Sequence, residues 1–181
     1  MPLSLWSAKL EIEKVAAEVG AFVVRPGLVY GDPPSGGMFG ALQRSARFAV
    51  IPIIGRGVQL QYLVHEDDLC EMLFQIIMGD FIPSAPLVAA APQGWQMREL
   101  LRVLSIAHHA KARFVQIPWC GVWLALKFPE LLGIPLPFRS DSVISLVWQD
   151  PSPDFSLSAK WGFRFREFKK CLWQRTAKYW F

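Results

Sequence analysis

Apolar and polar positions repeat along this chain with two periods, and the switches between them outline its elements. Leu10, Val15, Ala16 and Val19 recur at helical spacing, which predicts a helix over Ala8–Val19 with these four toward the core. Ser7 can cap it and Gly20 can end it, while Lys9 and Glu13 stand four apart on its face, a spacing that pairs them. "AFVVRPGLVYG" then runs apolar up to Pro26 and Gly27, the signature of a buried parallel strand entering a loop. After the Gly/Pro-rich "GDPPSGGMFG" a helix is expected through Leu42–Phe48, followed by "VIPIIGRG".

The clearest signals come next. "QLQYLVHEDDL" alternates through Leu60, Tyr62 and Val64 and stops at acids. Those acids open a helix in which Leu69, Met72, Leu73, Ile76 and Ile77 keep helical spacing as far as Gly79. Asp67 and Asp68 at its positive end read as a helix start, with metal binding a poor second. "APLVAAA" is a strand of small residues, and "MRELLRVL" is a helix with Met97, Leu100, Leu101 and Leu104 inward. "ARFVQIP" is a strand, and the Trp-rich "WCGVWLALKF" is helical until Pro129. Helices and strands alternate over the first 115 residues, which indicates α/β layers without internal repeats.

Composition narrows the class. With 181 residues, 52% of them hydrophobic and 19% charged, the chain suits one compact unit. No charge-free stretch reaches the roughly 20 unbroken apolar residues of a spanning helix, and the start carries no secretory leader, so a soluble, cytoplasmic protein is expected. Three widely spaced cysteines, Cys70, Cys120 and Cys171, form neither a disulfide framework nor a metal site and read as reduced, buried thiols. The net charge of +4 is uneven, because residues 160–181 hold seven Lys or Arg against the single acid Glu167. Phe165, Phe168 and Leu172 share a helical face there, among Lys169, Lys170, Arg175 and Lys178. That face suits either a terminal helix docked by its aromatics or, through residues 165–181, an anionic membrane surface. Nucleic-acid binding has only this charge behind it and no motif.

Four segments, taken in order, resemble the NAD(P)-dependent nucleotide-sugar epimerase/dehydratase family, the extended short-chain dehydrogenases. "SAKLEIEK" is similar to that family's lysine helix, and "VVRPGLVYG" to its arginine-proline-glycine strand and loop. "IIGRGVQLQYLVHEDDL" resembles its glycine turn, strand and "VHVDDL" helix start; "DFSLSAKWGFRF" resembles a late segment. The resemblance covers about 160 residues. It implies a partial Rossmann-type parallel sheet followed by a helical and mixed substrate-binding part, with residues 1–80 in the first and 81–181 in the second. It further implies NAD or NADP as cofactor, and a nucleotide sugar or related alcohol as substrate, handled by hydride transfer.

Two positions depart from the family. The glycine-rich phosphate turn, which belongs ahead of the lysine helix, has no match here. Leu5 stands where the family keeps a proton-carrying tyrosine. Loss of hydride from a carbinol leaves a proton to be moved, and a phenol can move it when a lysine one turn away favours the phenolate. Leucine cannot. Lys9 keeps the implied ribose and electrostatic roles, or is a surface lysine beside Glu13. Tyr30, Tyr62 and His65 are the remaining groups that could stand in, and each also has an ordinary structural reading.

The implied cofactor contacts are Lys9 and the backbone of Pro26, Gly27, Leu28 and Val29. The implied substrate contacts are Tyr30, Arg47, Arg56, Gln61 and Arg139, with Gln61 where the family often has arginine. Whether the chain is an enzyme is left open between an incomplete oxidoreductase and a non-catalytic ligand- or partner-binding member. Cutting a doubly wound sheet ahead of its lysine helix is expected to leave edges and apolar faces uncovered.

Overall fold

In the computed structural model the described residues are 5–31, 36–79, 85–131 and 151–172; in the first helix, side chains are described from Leu10 onward. The elements run α1 (Leu5–Glu18), β1 (Val24–Pro26), β2 (Leu28–Tyr30), α2 (Gly37–Ser45), β3 (Val50–Ile54), β4 (Leu60–His65) and α3 (Glu66–Ile77). They continue through β5 (Leu87–Ala89), β6 (Gly94–Gln96), α4 (Met97–Ala107), β7 (Arg113–Ile117), α5 (Trp119–Leu131) and α6 (Ser156–Lys160). A final helical turn, α7, spans 168–172.

Among the described residues the strands form three small sheets, ordered β1-β5, β2-β4-β6 and β3-β7. Every pairing is parallel except β4 with β6. Each sheet joins strands from both sides of position 80, so the two parts of the chain share their ladders. The architecture is the α/β arrangement expected, with the parallel sheet broken into pieces.

The best-patterned helices behave as their sequence requires. In α4, Met97, Leu100, Leu101 and Leu104 are all buried. In α3, His65 is the N-cap, its Nδ1 accepting the Asp67 N–H at 3.2 Å, and three acids fill the first turn. Met72 and Ile76 face inward, but Leu73 and Ile77 do not; Ile77 is 80% exposed. The strand β4 departs from the expected alternation: Gln61 and Leu63 are buried while Leu60 and Tyr62 are half-covered, and of the expected set Val64 is fully buried.

α1 departs further. It begins at Leu5, so Ser7 lies inside it rather than capping it. Leu10, Val15 and Val19, expected toward the core, are exposed, Val19 by 74%. Periodicity gave the helix correctly, but the apolar stripe has nothing described to cover it. The cysteine expectation also changes: Cys70 and Cys120 are exposed and Cys171 is half-buried, all three free thiols. No helix among the described residues is long and apolar enough to cross a membrane.

The core has three parts. Tyr30, Phe39, Leu63, Trp95, Leu100 and Phe168 centre the largest. A second joins Met72 and Ile76 of α3 to Leu87 and Ala89 of β5; a third joins Ile51 and Ile53 of β3 to Met97 and Leu101 of α4. Phe168 is the plug of the first, edge-on to Tyr30, Phe39 and Trp95 at centroid distances of 5.1, 5.7 and 5.6 Å. With Leu172 also buried, α7 is a docked terminal helix, so the apolar face considered for a membrane surface is turned into the protein. The remainder of that tail, 173–181, lies outside the described residues.

Phe168→Ala is expected to cost about 3–5 kcal/mol in urea unfolding, as deletion of a buried aromatic does. Val19→Ser on α1 should stay within about 0.5 kcal/mol of the parent, because nothing described packs on it.

Candidate functional site

The site inferred from the sequence centres on the strand Val24–Tyr30, and its geometry is set by one break. Val24, Arg25 and Pro26 pair with Leu87, Val88 and Ala89 of β5; Leu28, Val29 and Tyr30 pair with Leu63, Val64 and His65 of β4. Between them the Gly27 N–H donates to the Ala89 carbonyl at 3.0 Å. A Cβ on Gly27 would lie 2.3 Å from the Tyr62 carbonyl oxygen and 2.8 Å from Ala90 Cβ. The chain can change partners here only because glycine lets three backbones meet. Four residues on, the Glu66 carboxyl occupies the place a Cβ of Gly31 would take.

On β1 the groups facing β5 are those of the odd positions. Leu87 donates to the Val23 carbonyl at 2.9 Å, and Gly27 donates to Ala89. The carbonyls of Val24 and Pro26 therefore face the other edge, where the described residues supply no strand. Pro26 is exposed, and Gly27, Leu28 and Val29 are half-buried. A carbonyl at that edge can accept a hydrogen bond from an amide donor, whereas the room beside Gly27 is already filled by protein.

Leu5 and Lys9 are four apart within α1, so the two positions stack one turn above the other. The Lys9 side chain lies outside the described residues, and Glu13 has a partner on another element. Arg25 grips the Glu13 carboxylate with Nε at 2.9 Å and Nη2 at 2.5 Å. This fork ties α1 to β1, and the hydrogen bonds from Arg25 hold the Glu13 carboxyl below its ordinary value. Arg25 is the residue that sequence reasoning missed. Its signal was available, since Glu13 and Arg25 are the charged members of two neighbouring motifs, but only the fold shows that they meet.

The groups considered as replacements for a tyrosine at position 5 are otherwise engaged. Tyr30 is 3% exposed, and its hydroxyl donates to the Arg166 carbonyl at 3.4 Å with Cys171 Sγ at 3.7 Å. Burial first, and then Cys171, push the Tyr30 phenol far up, the wrong direction for a base. Tyr62 donates to the Pro151 carbonyl at 2.7 Å. His65 caps α3 through an Nδ1 that must be unprotonated to accept.

Among the described residues the expected substrate contacts divide into buried and exposed groups. Tyr30 and Gln61 are buried in the packing, which corrects their reading as ligand-facing groups. Arg47 follows α2 and Arg56 lies in the turn after β3, both exposed; Arg139 lies outside the described residues. A groove of about 420 Å³ lies elsewhere, between the first turns of α3 and residues 162–166, and holds none of the expected site residues. Across it Arg166 pairs with Asp67 at 2.7 Å and Asp68 at 2.9 Å, and its backbone N–H donates to Asp68 at 2.7 Å. This latch fastens the C-terminal segment to the start of α3. No group of His, Cys, Asp and Glu able to hold a metal occurs among the described residues.

Gly27→Ala is expected to lower stability by about 1–3 kcal/mol through forced backbone shifts. Gly20→Ala, at φ +69° with open space around it, should cost only about 1–2 kcal/mol of left-handed strain; urea unfolding of both variants checks the order. The hydrogen bond from Arg166 holds the Asp67 carboxyl below its ordinary value. A carboxyl lowered on folding contributes stability that is present above its unfolded pKa and fades as pH falls through the folded one. The melting temperature should therefore drop below about pH 4, and Asp67→Asn should flatten part of that drop.

No family model and no curated protein matches the sequence. Solved structures do match. The human epimerase family protein SDR39U1 (isoform 2), solved with NADPH, aligns at 24% identity and TM-score 0.61 over 84% of this chain and 46% of that one. DesIV, a dTDP-glucose 4,6-dehydratase from Streptomyces venezuelae with NAD and TYD bound, aligns at 15% identity and TM-score 0.58 over 96% and 48%. A GDP-mannoheptose C4 reductase from Campylobacter jejuni with NADP bound aligns at 13% identity and TM-score 0.58 over 93% and 54%. The chain thus spans about half the length of the structures it matches. Over that span it has the fold of the NAD(P)-dependent epimerases, dehydratases and reductases, the extended short-chain dehydrogenases.

Proposed function

We propose that this chain is the substrate-side part of an NAD(P)-dependent epimerase, dehydratase or reductase acting on a nucleotide-linked sugar or related alcohol. The observation that carries this reading is the partner switch at Gly27, on a strand forked by Arg25 to the helix that holds Lys9. It stands in a chain whose fold matches enzymes solved with NADPH, NAD and NADP.

In this reading the dinucleotide supplies the hydride chemistry. The backbone of Pro26, Gly27, Leu28 and Val29 borders the nicotinamide, and Lys9 serves the ribose. Residues 1–80 form the Rossmann-like share and 81–181 the substrate share, built on common ladders. Arg47, Arg56 and Arg139 are the cations left to meet a substrate phosphate, with Tyr30 and Gln61 withdrawn into the core. Leu5 has no proton to carry, and burial moves Tyr30 away from the phenolate, so the 181 residues bind a ligand rather than turn it over alone.

Saturation-transfer NMR with NADH and NADPH tests this. Saturation is expected to reach the nicotinamide protons more strongly than the adenine protons, because the glycine-rich turn of the adenosine side has no counterpart in this sequence. Lys9→Ala should lower the nicotinamide signal several-fold. Equal transfer to both rings, or none from the unmodified chain, overturns the reading.

A further inference from the structure

The pair β3–β7 is parallel, in register Val50↔Arg113 and Pro52↔Val115. Parallel strands are ordinarily covered on both faces. Among the described residues only one face is. Ile51 and Ile53, with Phe114 beside them, turn inward against Met97 and Leu101 of α4. The other face presents Val50 at 55% exposure and Val115 at 50%, with Pro52 between them. Phe48, two residues before Val50, is 64% exposed, and Trp119, two residues beyond β7, is 45% exposed.

The two strands and the residues flanking them in sequence carry cations and no acid. The stretches 36–65 and 100–129, which supply both strands and their flanks, contain no Asp or Glu. Their cations are Arg44, Arg47, Arg56, Arg102, Lys111, Arg113 and Lys127, all exposed except the half-buried Lys127. Arg47 comes close to the end of α4: after burial, its charge is the next cause holding the His108 imidazole below its ordinary value. An apolar centre inside an acid-free basic rim matches the two halves of a bilayer interface, acyl boundary and phosphate headgroups.

We propose that the outer face of β3–β7 rests on an anionic lipid surface, with Phe48, Val50, Val115 and Trp119 at the acyl boundary and the basic rim on the headgroups. A second copy fits poorly, since a two-fold contact would set basic rim against basic rim. Single-stranded nucleic acid asks for successive aromatics along a positively charged groove, whereas here the two aromatics, Phe48 and Trp119, flank an aliphatic centre of Val50, Pro52 and Val115. The attachment is peripheral, because no described helix is long and apolar enough to cross a membrane. It shares Arg47 and Arg56 with the substrate part of the proposed function but none of the nicotinamide contacts, so the vesicle and NMR experiments can each fail without the other.

Co-sedimentation of the full chain with vesicles of equal parts phosphatidylcholine and phosphatidylglycerol tests it. Binding is expected at low salt, with loss at high salt and none to phosphatidylcholine alone. Each cation near such a surface strengthens binding about fivefold, so Arg47→Glu with Arg113→Glu should weaken it at least about tenfold. Phe48→Ser with Val115→Ser should do the same, while Lys160→Glu with Lys169→Glu, outside the rim, should have little effect. Should any variant melt early, brominated lipid provides a second readout: it should quench tryptophan emission of the unmodified chain, and less so after Trp119→Phe. The proposal is overturned by absence of binding, by equal loss in the Lys160/Lys169 control, or by quenching that Trp119→Phe leaves unchanged. It is overturned too if an oligoribonucleotide binds more tightly and displaces the vesicles, or if the face proves to be buried in a self-dimer.

Discussion

The close approach of three backbones at Gly27 is the contact on which the rest of this structure depends. A strand of seven residues serves two neighbours because the Tyr62 carbonyl and Ala90 occupy the space a side chain would need. Upstream of that point the strand belongs to β5 and the helix that precedes it; downstream it belongs to β4 and the acid-led helix α3. A parallel ladder this short has little stability of its own. The packing on either side must hold it.

That packing comes largely from the far end of the chain. Phe168 enters the cluster of Tyr30, Phe39 and Trp95, and the Ser158 hydroxyl donates to the Val88 carbonyl on β5. The Arg166 latch then ties the same segment to the Asp67 and Asp68 carboxylates. Much of the Arg166 pairing is exposed, so its net worth is modest and its value lies in direction. It sets which way the segment leaves the core, while burial of Phe168 and Leu172 supplies most of the stabilisation.

What is left uncovered is as telling as what is packed. α1 shows Ile12, Val15 and Val19 to solvent, and one edge of β1 has no strand beside it among the described residues. Both features agree with a chain that spans half of the structures it resembles. The basic character is also distributed differently from the linear reading. The tail holds the largest run of cations, yet the acid-free surface forms where two distant segments meet at β3 and β7.

The sequence by itself determined those elements whose burial follows from their own period. In α4 and α3 the inward residues recur at helical spacing, and β5 is apolar throughout, so no partner needs to be known to recognise them. The order of four motifs was equally legible and led to the right fold. Only the tertiary structure decided which faces are covered and which polar groups meet. The stripe of α1 reads like that of α4, and whether a neighbour exists to bury it is not a local property. The Gln61 and Leu63 face of β4 turns inward because Leu63 packs with Tyr30, Trp95 and Phe168, residues distant in the chain. Glu13 reaches Arg25, and Tyr30 points into the core, because such contacts are set by distances between elements that are remote in the chain.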